Sequence, residues 1–325
     1  MKNFESFLSQ LFNEFMAYRK DMGYEVRSTR SNLLAFDRYL LDKEAIWDSL
    51  SPSFFLQMRA DLHMEPSSVN ALLLTLRGFF RFLLGRGHIE KDPVGDIPLL
   101  RENIAVPFVF SPEQTDRLIT ACSKRIRRTE TSFLRDFAVY LALLLLARCG
   151  LRISEPLRLL RHHYRRNDCT IYIEKTKFKK DRLIPVPKDL CDEINNYLSV
   201  RESMNPDDKN PYLLANKNNS PLKAWQVRSA FHQAARDIEL DQERKAAGNM
   251  NFLQPSPHSL RHSFAINTLR RIIDRGEPAQ AALPVLSVYL GHKKYHYSAV
   301  YLKVADARSR NDLLDFALWQ EWKKI

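Results

Sequence analysis

Apolar residues recur at helical spacing from the start of the chain. Phe4, Phe7, Leu8, Leu11, Phe12 and Phe15 share one face between Phe4 and Met22, and a second such segment runs from about Ser28 to Leu41. Ser51-Pro52 supplies an N-cap followed by proline in the first helical position, which opens a third helix. A fourth, from about Ser67, carries Leu72, Leu73, Leu76, Phe79, Phe80 and Leu83 and stops near Gly85 and Gly87. These four helices predict a compact bundle over residues 1–88. From 89 to 110 the period fails, broken by Asp92-Pro93, Gly95, Pro98 and Pro107, which predicts a linker. The capping-box pattern Ser111-Pro112-Glu113-Gln114 then opens a second domain over 111–325.

In that domain the apolar run Phe137–Ala147 is too short to span a bilayer and predicts a buried helix. Gly150 permits a tight turn after it, and Ser154 can cap a following helix carrying Leu157, Leu159 and Leu160. Thr170–Ile173 and Arg182–Val186 alternate like paired strands, with four lysines (Lys175, Lys177, Lys179 and Lys180) on the tip between them. Helices from about Lys188 to Arg201 and Ala224 to Glu239 follow, and Ser256-Pro257 starts another. Its apolar stripe is Leu260, Phe264, Ala265, Leu269 and Ile272, which leaves His258 and Arg261 to emerge together. A further helix, about Leu283 to Leu290, ends at Gly291, and a tail from Asn311 to Trp322 is again amphipathic. The fold class is mainly α with a small β-sheet: a helical domain followed by a mixed one.

Charge adds a partner to this picture. The formal net charge is +12 and the pI about 9.5, which points to a polyanion. Residues 1–100 hold 12 Lys/Arg against 13 Asp/Glu, so the rest of the chain carries the excess. Arg77, Arg81 and Arg86 recur along the fourth helix and suit either a DNA backbone or a solvated face; the lysine tip suits either a nucleic-acid groove or a solvated turn. Cys122, Cys149, Cys169 and Cys191 lack CxxC spacing and disulfide-scaffold density, and read as reduced thiols. The N-terminal segment lacks the basic start and cleavable apolar core of a signal peptide, so a cytoplasmic, DNA-associated protein is expected.

The candidate chemistry lies between His258 and Tyr301. His258 falls in the first turn of its helix, where unpaired amides and the helix dipole favour an anion. His258, Arg261, His292 and Tyr301 can converge on a phosphate, the cationic and hydrogen-bonding groups holding its oxygens while a phenol attacks phosphorus. Arg152, between two helices, needs an anionic partner if it points inward, with Glu155 as the structural alternative. A hairpin lysine can protonate a leaving oxygen.

The order Gly150-Leu-Arg-Ile-Ser-Glu155, a lysine-bearing hairpin, His258-x-x-Arg261, Leu290-Gly-His292 and then Tyr301 resembles the tyrosine recombinase family of phage-integrase and Xer-like enzymes, over nearly the whole chain. The resemblance implies a helical core-binding domain and a catalytic domain gripping double-stranded DNA. It implies catalytic roles for Arg152, Lys177, His258, Arg261, His292 and Tyr301, with Lys177 placed by its distance ahead of Arg182-Leu-Ile-Pro185. Tyr301 would form a 3′-phosphotyrosyl intermediate, Arg152 and Arg261 would hold nonbridging oxygens, and His258 would assist as proton acceptor. His292 would hydrogen-bond the phosphate and Lys177 would protonate the leaving 5′ oxygen. It further implies neither metal nor ATP, a tetramer on two DNA sites and, for some members, an accessory or directionality protein. The segment between Arg261 and His292 is longer than in Xer-like members, with Arg275–Pro284 as an apparent insertion, which argues against the narrow chromosome-dimer-resolution role; a strand-exchange enzyme of a mobile element is expected.

Two other classes compete. His258 with His262, and His292 with His296, have the spacing to share a metal, but neither pair encloses the glutamate of His-Glu-x-x-His and the surroundings are basic, which weakens a metal hydrolase. A non-catalytic DNA-binding protein would use the same charge and helices but has no need of the tyrosine.

Overall fold

The computed structural model describes residues 3–174, 181–216, 220–292 and 301–302. The chain forms two compact units, Met1–Asn103 and Ile104–Ile325.

The first unit is built from α1 (Ser9–Asp21), α2 (Arg27–Asp42), α3 (Pro52–Asp61) and α4 (Pro66–Gly85). Their apolar stripes meet in a core of rings. Phe12 packs on Phe36 and Phe79, and Phe55 sits edge-on to Phe80 with centroids 5.3 Å apart. Ser51 caps α3, its hydroxyl accepting from the Phe54 amide, as the Ser-Pro pair predicts. By length and composition α4 could cross a membrane, but its apolar stripe is this core.

The residues after α4 are not a free linker through position 110. Val94 and Ile97 are buried in the bundle core. Arg77 donates to the carbonyls of Val94 and Ile97, and Asn70 exchanges hydrogen bonds with the Leu100 backbone at 2.9 and 2.8 Å. Proline and glycine end the helical period here without ending the packing, so the boundary between units falls after Asn103. Arg77 is thereby held by its own unit; Arg81 is exposed, and Arg86 lies 4.8 Å over the Phe82 ring.

In the second unit, α6 (Phe133–Cys149) is apolar on nearly every side and is buried among α5 (Pro112–Lys124), α7 (Lys188–Met204), α8 (Ala224–Asp237) and α9 (Pro257–Asp274). The capping box at Ser111 forms: the Gln114 amide donates to Ser111 Oγ at 3.1 Å, and Gln114 Oε1 accepts from the Ser111 amide at 2.9 Å. Strands β2 (Tyr164–Arg165), β3 (Thr170–Ile173) and β4 (Arg182–Pro185) make an antiparallel sheet in which Ile173 faces Arg182. A second small sheet pairs β1 (Ile104–Val106) parallel to β6 (Met250–Phe252), with β5 (Lys245–Ala247) antiparallel beside it. The helix α10 (Ala279–Leu290) packs on α9 through Leu283, Leu286 and Leu290.

Two further expectations are corrected. Ser154 does not cap a helix through Leu160: Pro156–Arg158 forms a single 3₁₀ turn, and Leu160 instead bridges to Tyr212 in extended backbone. The cysteines are not all thiols. Cys169 and Cys191 are disulfide-bonded, with Cα atoms 5.9 Å apart, while Cys122 and Cys149 are free and buried. A left-handed turn at Cys169 (φ 45°) leads into β3, and Cys191 lies in the first turn of α7, so the pairing follows from tertiary structure rather than from any local spacing.

Candidate active site

The site forms where two helices of the second unit end. α6 stops at Gly150 (φ 58°) and α10 stops at Gly291 (φ 64°), both left-handed. Each end leaves carbonyl oxygens without helical partners and carries the negative pole of a helix dipole. Arginines satisfy both. Arg261, on α9, donates to Gly150 O at 2.7 Å and to Leu290 O at 2.5 Å; Arg152 donates to Gly291 O at 3.0 Å. Gly150 admits no larger residue, since a Cβ there would stand 2.5 Å from the Phe264 ring.

Arg261 therefore does not emerge beside His258. It is 1% exposed, turned inward because the acceptors lie there, while His258 one turn earlier stays open to solvent. Burial, reinforced by Arg152, brings the Arg261 guanidinium down to about 10, still charged at neutral pH.

The partner of Arg152 is Glu155. This carboxylate accepts from the Arg152 amide at 2.8 Å and its guanidinium at 3.0 Å, and takes a two-pronged ion pair from Arg182 at 3.1 and 2.9 Å. Burial pushes the Glu155 carboxyl up, but the hydrogen bonds and charge of Arg182 outweigh it and hold the group below its usual range. Arg182 opens β4, so the strand leaving the lysine hairpin is tied to the carboxylate that orients Arg152. Lys175, Lys177, Lys179 and Lys180 lie outside the described residues, as do His296 and the tail from Asn311 to Trp322.

Tyr301 is buried among Ala265, Ile266, Leu269, Leu286 and Leu290. Its hydroxyl lies 3.1 Å from His262 Nδ1, and its ring centroid is 5.6 Å from that of His262 and 6.0 Å from that of His292. Burial raises the phenol's pKa, opposed by Arg261 and Arg152. His258 packs edge-on against His262 with centroids 4.4 Å apart. Burial, then His258, Arg261 and His292, brings His262 down to about 3; burial, then Arg261 and Arg152, brings His292 down to about 4. His258 is also held low, by desolvation and then by Arg261 and Arg152, although its outer edge is open. At neutral pH all three imidazoles are uncharged, and the positive charge of the site belongs to arginine.

Of the sequence candidates, the structure gathers Arg152, His258, Arg261, His292 and Tyr301. Tyr289, a rival for the nucleophile, is stacked on Phe264 at 5.5 Å, and Tyr295 and Tyr297 lie outside the described residues. Sequence reasoning gave Glu155 only as a structural alternative, did not single out Arg182, and gave His262 only as half of a metal pair. Among the described residues no three His, Cys, Asp or Glu side chains are placed to hold a metal ion.

Fold and sequence together define a tyrosine-type recombinase, an enzyme of site-specific DNA recombination. The phage integrase family model matches residues 109–308, and the chain belongs to that family. It is 29% identical over 245 residues to the tyrosine recombinase XerD of Brucella suis, covering 75% of this chain and 74% of that one. It is 26% identical over 300 residues to XerC of Alcanivorax borkumensis, covering 90% and 88%. In fold it is similar to a lambda integrase dimer bound to a COC′ core site (TM-score 0.66, 17% identity, 93% of this chain and 78% of that one). A lambda integrase tetramer bound to a Holliday junction is similar too (TM-score 0.67, 17% identity, 93% and 79%).

Proposed function

We propose that this recombinase cuts and rejoins double-stranded DNA through a 3′-phosphotyrosyl intermediate on Tyr301, in the service of a mobile element, acting as a tetramer on two cytoplasmic DNA sites. The observation that carries the reading is a buried phenol set against neutral imidazoles and two guanidiniums, each anchored on helix-terminal carbonyls. Arg152 and Arg261 use two side-chain donors each on those anchors and on Glu155, which leaves donors for the nonbridging oxygens of a phosphodiester. Fixed in advance, they stabilise developing charge without reorganising. His258, at the open first turn of α9, assists as proton acceptor for Tyr301, and His292 hydrogen-bonds the phosphate as a neutral group. Lys177 protonates the leaving 5′ oxygen. The phosphoester energy is retained in the tyrosyl bond, so rejoining needs no nucleotide cofactor. The first unit, with Arg81 and Arg86, and the lysines at 175, 179 and 180 contribute phosphate contacts along the duplex. An accessory protein setting direction is part of the same proposal.

The test is a nicked suicide substrate carrying the element's end sequence, incubated with EDTA and resolved on a denaturing gel. A covalent protein–DNA band with wild type and none with Tyr301→Phe is expected. No band from wild type despite confirmed binding would favour the non-catalytic DNA-binding alternative.

A further inference from the structure

We infer that Arg182 is a positioning residue of this enzyme: it takes up both oxygens and the charge of Glu155, and so holds Arg152 in place with its own positive charge left over for the scissile phosphate. This deepens the proposed phosphotyrosyl reading and rests on it.

The strand pattern sets Arg182 apart. Side chains alternate along β4, with Arg182 and Ile184 turned inward and Leu183 and Pro185 outward. Pairing of Ile173 with Arg182 and of Ile171 with Ile184 fixes the register that brings the arginine in. An inward position beside a buried isoleucine is filled by an apolar residue by default, and an arginine there costs desolvation unless it is paired. The Arg182 side chain is 7% exposed, against 2% for Glu155 and 20% for Arg152. Arg152 is therefore the outermost of the three.

Arg182 is not placed to touch a substrate. Its terminal nitrogens lie on the two Glu155 oxygens at 3.1 and 2.9 Å, and its Nε is buried with no partner among the described residues. It acts through the carboxylate. Glu155 accepts in turn from the Arg152 amide and guanidinium, and the other terminal nitrogen of Arg152 reaches Gly291 O at 3.0 Å. Gly291 also closes on Arg182, since a Cβ there would stand 3.1 Å from its Nη1. The end of α10, the carboxylate and the two guanidiniums form one packed unit.

Charge gives this unit its purpose. Two guanidiniums share one carboxylate, so one positive charge remains, and the order of depth leaves it at Arg152. Burial pushes the Glu155 carboxyl up, and the hydrogen bonds and charge of Arg182 are the leading influences that keep it ionised. Without Arg182 the carboxylate would close on Arg152 and cancel its charge, or take up a proton and release it. Either change weakens the hold of Arg152 on a nonbridging oxygen.

The experiment is single-turnover cleavage, at saturating DNA, of two nicked suicide substrates. One has the ordinary scissile phosphodiester; the other has a methylphosphonate there, in which a methyl group replaces a charged nonbridging oxygen. Wild type, Arg182→Met, Arg182→Lys and Arg152→Ala are compared, with Tyr301→Phe as control. The neutral phosphonate makes little demand on Arg152, so Arg152→Ala, slow on the phosphodiester, should be largely restored on it. Arg182→Met should follow the same pattern at smaller size: slowed about 10–10²-fold on the phosphodiester, less than for deletion of a stabilising donor itself, and within about threefold of wild type on the methylphosphonate. Arg182→Lys, which keeps the charge but not the fork, should lie between wild type and Arg182→Met. Each ratio compares two substrates on one protein, so the folded fraction cancels; if Arg182→Met does not fold, the same ratio is read in Arg182→Lys. Equal slowing on both substrates would mark the contact as structural and overturn the inference, as would no slowing, or an Arg182→Lys variant as slow as Arg182→Met. Failure of the methylphosphonate to restore Arg152→Ala, or an adduct formed by Tyr301→Phe, would instead remove the reading on which the inference rests.

Discussion

The first unit fills its core with rings: Phe12, Phe15, Phe36, Phe55, Phe79 and Phe80 touch in a chain with centroid distances from 4.8 to 6.1 Å. The second unit has a larger aliphatic core around α6, yet it also buries Arg261 and Glu155 beside it. Aromatic packing stabilises by buried area, shape and ring–ring geometry, with no charge to desolvate. Burying a guanidinium and a carboxylate costs desolvation that their pairing barely repays, so apolar replacements would often hold a fold as well. Asp37 in the first unit, accepting from the Glu5 and Ser6 amides, and Arg201 in the second, held by Asp208 and the carbonyls of Asn210, Tyr212 and Leu213, serve the fold, whereas Arg261 and Glu155 gather where Tyr301 is set against two imidazoles. The contrast separates residues that hold the protein from residues that act.

The sharpest way to break that separation is to damage both regions equally. Phe79→Ala in the first unit and Glu155→Gln in the second are each expected to cost about 3–5 kcal/mol locally. Hydrogen exchange resolved by peptide measures this for each unit. Their chemistry should differ. Phe79→Ala should retain the cleavage rate at saturating DNA, whereas Glu155→Gln should slow it about tenfold or more, because Arg152 and Arg182 lose a shared anchor. Equal rates in the two variants would mean that Glu155 only holds the fold.

A smaller effect is expected from Gly150→Ala. The left-handed backbone costs roughly 1–2 kcal/mol, and the 2.5 Å approach to Phe264 adds overpacking of about 1–3 kcal/mol. Because Gly150 O accepts from Arg261, this variant should also weaken competitive inhibition by short phosphodiester analogues. Wild-type inhibition in a destabilised variant would separate the helix end from the anion site.

The smallest effect is in pH. His262 and His292 are lowered from 6.5 to about 3 and about 4 in the folded chain. Between those values and 6.5 the unfolded chain binds more protons than the folded one, so stability falls as pH falls through that window. Hydrogen exchange at pH 7 and 5 should therefore show α9 loosening more than α4 after correction for intrinsic rates. Equal change in both helices would remove the electrostatic distinction.

Much of this was legible in the sequence because it is periodic or local. The stripes of α1, α2 and α4, the Ser-Pro helix starts and the β3–β4 pair follow from spacing, and the glycines at 150 and 291 mark helix ends directly. What escaped depends on contacts between distant segments. Nothing local says that Arg261 turns inward, since its acceptors lie 111 and 29 residues away in sequence. Arg182 is an ordinary strand residue until Glu155, 27 residues earlier, comes to face it. His262 looked like part of an i, i+4 metal pair, and its contact with Tyr301 spans 39 residues. The Cys169–Cys191 bond was hidden for the same reason.

The most direct test of the central claim is to digest the covalent adduct from the suicide substrate and locate the modified residue by mass spectrometry. The account predicts a nucleotide joined through its 3′ phosphate to Tyr301; the same mass on Tyr289, Tyr295 or Tyr297 would contradict it.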